Sequence, residues 1–179
     1  MRKWNAILTA AILALFLLHA ILGGFQLLGV GNTALKAIAW TATALILAHT
    51  ILGVKLTADS LRVWKRTGVS YFKQNKLFWA RRVSGLAVMI LLAFHVTAFG
   101  ASNGGAYRLK EFTSLRLAVQ LLLVAALALH VLMNVKPMLI SFGVKSFRDW
   151  VGDVWFVLSV LLLFMAAAFV VYYLRWNVW

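Results

Sequence analysis

Apolar residues run through the chain in five long blocks, at about 6–28, 34–56, 78–100, 114–136 and 153–174, parted by short segments where charge and glycine concentrate. Each block matches the roughly 20 apolar residues that carry a helix across a hydrocarbon layer. Inside lipid, a helix is one of the few elements that answers all its own backbone hydrogen bonds. The pattern predicts an all-α, polytopic membrane protein with five transmembrane helices in one domain, residues 1–179, the first four forming a four-helix bundle. The first block is span-length and lacks a small-residue cleavage pattern, so it is expected to remain as a helix.

The connections are short. "GVGNTALK" suits a tight reversal between the first two helices. Residues 57–77 are the longest connection and mix Leu61, Val63, Trp64, Val69, Tyr71 and Phe72 with basic residues. They read as an amphipathic helix or turn lying on the membrane surface, or as a platform for a partner. The segment "GASNGGAYRLKEFTS" is glycine-rich and expected to be mobile, and Pro137 is expected to end the fourth helix. Trp4, Trp79, Trp150, Trp155, Trp176 and Trp179 fall near block ends, as interfacial anchors do.

Composition agrees with the pattern. Hydrophobic residues make up 64% of the chain, and only four side chains are acidic. The formal net charge is +14, which invites a nucleic-acid reading until the charges are placed. Thirteen of the eighteen basic residues, Arg62, Lys65, Arg66, Arg81 and Arg82 among them, fall on one side of the alternating helices. Lys36, Arg108, Lys110, Arg116 and Arg175 fall on the other. The positive-inside rule then puts the N-terminus in the cytoplasm and the C-terminus outside. The charge reports topology, and no nucleic-acid partner is expected.

There is no cysteine. Disulfides, thiolate-held iron–sulfur clusters and haem attached through C-x-x-C-H are excluded. The four histidines are His19, His49, His95 and His130, one in each of the first four blocks. Two recur in near-identical settings, "HAILG" at 19–23 and "HTILG" at 49–53. A histidine inside a membrane helix is costly and is a functional candidate for that reason.

Depth orders them. At about 1.5 Å per residue, His49 and His130 each lie about 9 Å from the cytoplasmic boundary set by Lys55 and Lys136. His95 and His19 lie about 20–24 Å from it. In an up-down bundle of sequential neighbours, helices one and three face each other diagonally, as do two and four. His19 then pairs with His95 at the outer level, and His49 with His130 at the inner. Two imidazoles opposed across a gap suit the axial ligands of a haem. Gly23 and Gly53 lie one turn beyond His19 and His49, and Gly85 lies ten residues before His95 on nearly the same face, where a flat macrocycle needs space. Two histidines per level are too few for a structural zinc site. Asp59, Glu111, Asp149 and Asp153 lie in connections or at block ends, whereas an ion transporter more often buries an acid. Two b haems are the expected cofactors.

The third block, "FWARRVSGLAVMILLAFHV", opens with R-x-S-G and places a histidine ten residues after the glycine. It resembles the cytochrome b membrane subunit of succinate:quinone oxidoreductases and fumarate reductases. The whole chain is similar to the single-subunit, di-haem type, in which each of the first four of five helices carries one axial histidine. The resemblance implies electron transfer between a membrane quinone, such as menaquinone, and a cytoplasmic flavoprotein and iron–sulfur pair docked over residues 55–82. It implies a bacterial or archaeal cytoplasmic membrane. His19 and His95 would hold the haem distal to the partner, and His49 and His130 the proximal one. Arg81, Arg82 and Ser84 stand where the inner haem's propionates or a docked subunit would meet them. A stand-alone oxidoreductase resembling cytochrome b561 is an alternative, and a small non-redox transporter another.

The topology is testable directly. Alkaline phosphatase fused after Trp179 is expected to be active and the same enzyme fused after Thr67 inactive. The reverse pattern would invert the bundle.

Overall fold

The computed structural model describes residues 2–31, 34–68, 76–99, 102–103, 106–107, 111–144 and 147–178. Five helices carry the fold: α1 (Arg2–Leu27), α2 (Leu35–Thr67), α3 (Lys76–Phe99), α4 (Ser114–Ser141) and α5 (Phe147–Asn177). All five contain stretches long and apolar enough to cross a membrane, and the chain is a multi-pass membrane protein. Between α3 and α4, β1 (Ser102–Asn103) and β2 (Ala106–Tyr107) pair antiparallel, Ser102 opposite Tyr107. This local ladder falls in the segment expected to be mobile. The apolar residues on the outer faces, such as Ile51, Leu115, Phe156 and Leu163, remain uncovered by the protein, as surfaces solvated by lipid do.

The packing departs from a ring of sequential neighbours. α1 packs on α2, and α3 on α4, but α2 and α3 barely touch. α1 and α4 make only a slight contact with each other, because α5 packs against both and fills that side. The result is two hairpins, α1–α2 and α3–α4, joined along one edge by α5 and parted along the other.

Close approach makes the α1–α5 joint. A Cβ on Gly24 would overlap the ring of Phe164, so α5 reaches α1 through the volume a side chain would occupy. At the end of the bundle away from Arg81, the core gathers Leu27, Phe112, Val124, Leu162, Phe169 and Tyr172. Phe112 is 1% exposed and stacks on Phe169 at 6.3 Å and 6°. The Asn177 amide donates to the Phe112 carbonyl at 2.9 Å, which ties the end of α5 to the start of α4. At the other end the Trp155 indole donates to the Leu132 carbonyl at 3.0 Å, linking α5 to α4 again.

Two helix ends differ from expectation. α2 does not stop near residue 56 but continues to Thr67, where Gly68 caps it in the left-handed conformation (φ 66°). Its 33 residues span about 50 Å, against a hydrocarbon layer about 30 Å thick. The polar last turns, with Asp59 bonded to Arg62 at 3.3 Å, therefore extend the helix beyond the apolar layer rather than forming a separate surface element. The remainder of that connection, residues 69–75, lies outside the described residues. α4 likewise passes Pro137 and ends four residues later at Ser141, whose hydroxyl bonds the Pro137 carbonyl at 2.8 Å. Proline removes one donor, and the last turn of a helix survives that loss.

Gly24→Ala is expected to destabilise the protein by about 1–3 kcal/mol through overpacking against Phe164. Gly152→Ala, where a Cβ meets nothing within 4 Å, is expected to change stability little. Unfolding in detergent by thermal or steric-trap methods compares the two.

Candidate functional site

All four histidines are half-buried and sit on the inward sides of their helices. α1 presents His19 and α3 presents His95, with ring centroids 5.9 Å apart and planes crossed at 76°. The two helices do not pack on each other, so the rings meet across the gap between the hairpins. Beside them lies a cleft of about 170 Å³, lined mainly by apolar groups that include Gly23, Trp40, Ile46, Leu92 and Phe169. Every helix contributes to its wall, α5 through Met165 and Phe169. A cleft of that size far exceeds what one water needs, about 10–15 Å³.

One ring of the pair is anchored from behind. The Nδ1–H of His95 donates to Gln120 Oε1 at 2.7 Å. Gln120, on α4, is 1% exposed, and its Nε2 has no hydrogen-bond partner. A ring that donates through Nδ1 keeps its lone pair on Nε2. His95 also contacts the Phe99 ring at 5.2 Å and the Phe169 ring at 6.5 Å, so aromatic packing limits its rotation. His19 differs. Its Nδ1 is buried and has no partner.

The other two histidines, His49 and His130, come from the remaining helices of the two hairpins, α2 and α4, nearer the basic end. His130 on α4 donates through Nδ1 to the Arg81 carbonyl at 3.2 Å, with the Ser84 hydroxyl oxygen 3.3 Å away. A carbonyl only accepts, so the Nδ1 proton is fixed here as well. Ser84 in turn donates to the Arg81 carbonyl at 3.2 Å. His49 on α2 has its Nδ1 buried without a partner. Among the described residues no ring contact of the His19–His95 kind joins His49 to His130.

The glycines divide among three tasks. Gly23 lines the cleft, and a Cβ there would meet only Leu35 at 4.0 Å. Gly53 gives space to the Arg82 guanidinium, 3.4 Å from where its Cβ would be. The spacing puts Gly85 on nearly the same face of α3 as His95, as space for that ligand's site. Instead it lies against His130, whose Cε1 would be 2.9 Å from a Cβ. Ten residues of helix separate Gly85 from His95 by about 15 Å, which puts the glycine at the inner level. Arg82 also lies 4.9 Å over the Phe78 ring. That contact and the Gly53 gap hold a cation near the inner histidines, where Arg82 of α3 reaches α2. Ser84 is an orienting group for His130.

Gln120 escaped the sequence reading, although a signal was present. It is an amide inside an apolar helix, six residues after Ser114 and so at the depth of His95. Buried amides in membrane helices find partners across helix contacts. Gln26 is a second such residue; it lines the cleft, and its Oε1 is buried without a partner.

A metal ion held by two imidazole nitrogens at about 2 Å each places the ring centres about 6 Å apart. The 5.9 Å spacing of His19 and His95 fits that distance. Among the described residues no group of three or more His, Cys, Asp or Glu gathers. Comparison of the chain with protein-family models, with curated proteins and with solved structures yields no match.

Gly85→Leu is expected to push the His130 ring from its place and break its bond to the Arg81 carbonyl. The loss expected is about 1–3 kcal/mol of stability, seen as a lower unfolding midpoint in detergent. An unchanged midpoint would show that the ring has space to retreat.

Proposed function

We propose that the chain is a transmembrane electron carrier holding two b haems, one between His19 and His95 and one between His49 and His130. The observation that carries the reading is the outer pair. Two imidazoles from different hairpins meet at 5.9 Å, one with its Nδ1 proton fixed by Gln120, beside an apolar cleft. A histidine that ligates a metal commonly donates its other N–H to an acceptor behind it. His95 and His130 both do so.

A bound haem supplies a one-electron ferric–ferrous couple at each level. The chain's own residues do the rest. His95 and His130 offer Nε2 lone pairs, and Gln120, Ser84 and the Arg81 carbonyl hold those rings in orientation. The apolar walls exclude water from the site. Arg81 and Arg82, at the inner level, offer guanidinium groups to propionates. The levels lie about 11–15 Å apart along the helices.

The partner assignment follows the resemblance to the succinate:quinone oxidoreductase and fumarate reductase family. The last turns of α2 support it. They carry Arg62, Lys65 and Arg66 beyond the apolar layer and expose Val63 and Trp64, a surface suited to an acidic protein such as a flavoprotein–iron–sulfur pair. A stand-alone cytochrome has less use for such an extension. Gln26 Oε1 supports quinone as the second partner, since it can accept a hydrogen bond from a quinol hydroxyl. In this reading the protein resides in a bacterial or archaeal cytoplasmic membrane.

The test is a reduced-minus-oxidised spectrum of the purified protein, with haem counted per chain. Two low-spin b haems are expected, falling to one in His19→Ala/His95→Ala and to one in His49→Ala/His130→Ala. A protein that stays colourless after incubation with haemin would refute the reading.

A further inference from the structure

The two histidine pairs share an asymmetry that ligation alone does not require. On the α3–α4 hairpin, His95 and His130 have Nδ1 answered, by Gln120 at 2.7 Å and by the Arg81 carbonyl at 3.2 Å. On the α1–α2 hairpin, His19 and His49 have Nδ1 buried and unanswered. Each pair therefore joins one anchored ring to one unanchored ring, and both anchored rings belong to the same hairpin.

The backbone divides the same way. α3 and α4 pack on each other more extensively than any other two helices. Their contact is cut to fit the anchored rings: Gly85 leaves the space that His130 fills, and Gln120 is buried at 1% exposure behind His95. α2 scarcely touches α3, so the α1–α2 rings approach from the side where the molecule is least joined. A ring whose Nδ1–H is held is oriented and made a stronger donor through Nε2. A ring whose buried Nδ1 has no partner is not oriented by its surroundings, and loses less when it turns away.

Resting on the haem assignment above, we infer that the α3–α4 hairpin is the holding half of both sites. His95 and His130 are the fixed ligands. His19 and His49 are displaceable ones, and Gln120 with the Ser84–Arg81 carbonyl pair are the positioning groups that make the difference. A small neutral donor molecule then enters from the α1–α2 side. The iron–nitrogen bond to His19 or His49 breaks, the bond to the incoming donor forms, and no electron changes hands. The site is an electron carrier that also admits a diatomic ligand in the reduced state.

Carbon monoxide and the single-histidine variants test this, with haem content and spin state as readouts rather than electron-transfer activity. His19→Ala is expected to keep two haems per chain, one of them now high-spin and binding carbon monoxide after dithionite reduction. His95→Ala is expected to keep one haem, low-spin, the inner haem reporting that the chain is folded. His49→Ala and His130→Ala should repeat the contrast at the inner level. Equal loss of haem from both members of a pair, or loss from His19→Ala alone, would overturn the inference. Should a histidine variant not be recovered folded, Gln120→Leu decides, because both ligands stay in place. Transfer of its outer haem to apomyoglobin is expected to run about tenfold to a hundredfold faster than in the wild type, with the inner haem unchanged. Equal rates would count against the inference. A wild type without haem refutes the site assignment itself, whereas two low-spin haems with symmetric variants refute only the division into holding and displaceable halves.

Discussion

Hydrocarbon offers no hydrogen-bond partner, so each polar group carried into it must be answered within the protein or left unanswered at a cost. That constraint makes the five apolar blocks helices. It also gives meaning to the few polar side chains inside them. Gln120 meets His95, and Ser84 and the Arg81 carbonyl meet His130. These contacts join α3 to α4 at two depths, and this is the most extensively packed pair of helices in the molecule. The unanswered groups are equally informative. His19 Nδ1, His49 Nδ1, Gln26 Oε1 and Gln120 Nε2 are buried without partners, and Gln26 borders the cleft where His19 and His95 meet.

α5 contributes no histidine, yet the site depends on it. It enters the space between α1 and α4, against Gly24 on one side and the α4 core on the other. By holding those two helices apart, it leaves the α1–α2 and α3–α4 hairpins opposed across a cleft rather than collapsed on each other. Phe169 closes the wall and also touches His95 at 6.5 Å. Without a fifth helix the first four would have more reason to pack as a ring, and His19 and His95 would lose the gap between them.

Charge is arranged with the same economy. Arg82 reaches into the bundle only because Gly53 yields space and Phe78 offers a ring face. It lies near the inner pair, while the outer pair has neutral neighbours, apolar and aromatic groups with the Gln120 and Gln26 amides. The surroundings of the two histidine pairs therefore differ in their electrostatics although both pairs present imidazole.

The helical class and the number of helices were legible in the sequence, because both follow from hydropathy and block length. So was the meeting of His19 with His95, since equal depth and opposite helices leave few alternatives. Helix ends were less legible. Composition marks where lipid stops, whereas hydrogen bonding lets α2 run on to Thr67 and α4 pass Pro137. Gly85 shows a different limit. Periodicity put it on a face with His95, but only packing decided that its neighbour would be His130 from α4. Gln120 was visible as a lone amide, and its role depended on which helix lay beside it. What tertiary structure alone decided was the set of contacts between helices: α5 wedged between α1 and α4, α2 parted from α3, and one anchored histidine in each pair. The physical reason is that lipid-facing and protein-facing apolar residues look alike in a sequence, so which faces pack is settled by shape, through gaps such as those at Gly24 and Gly85.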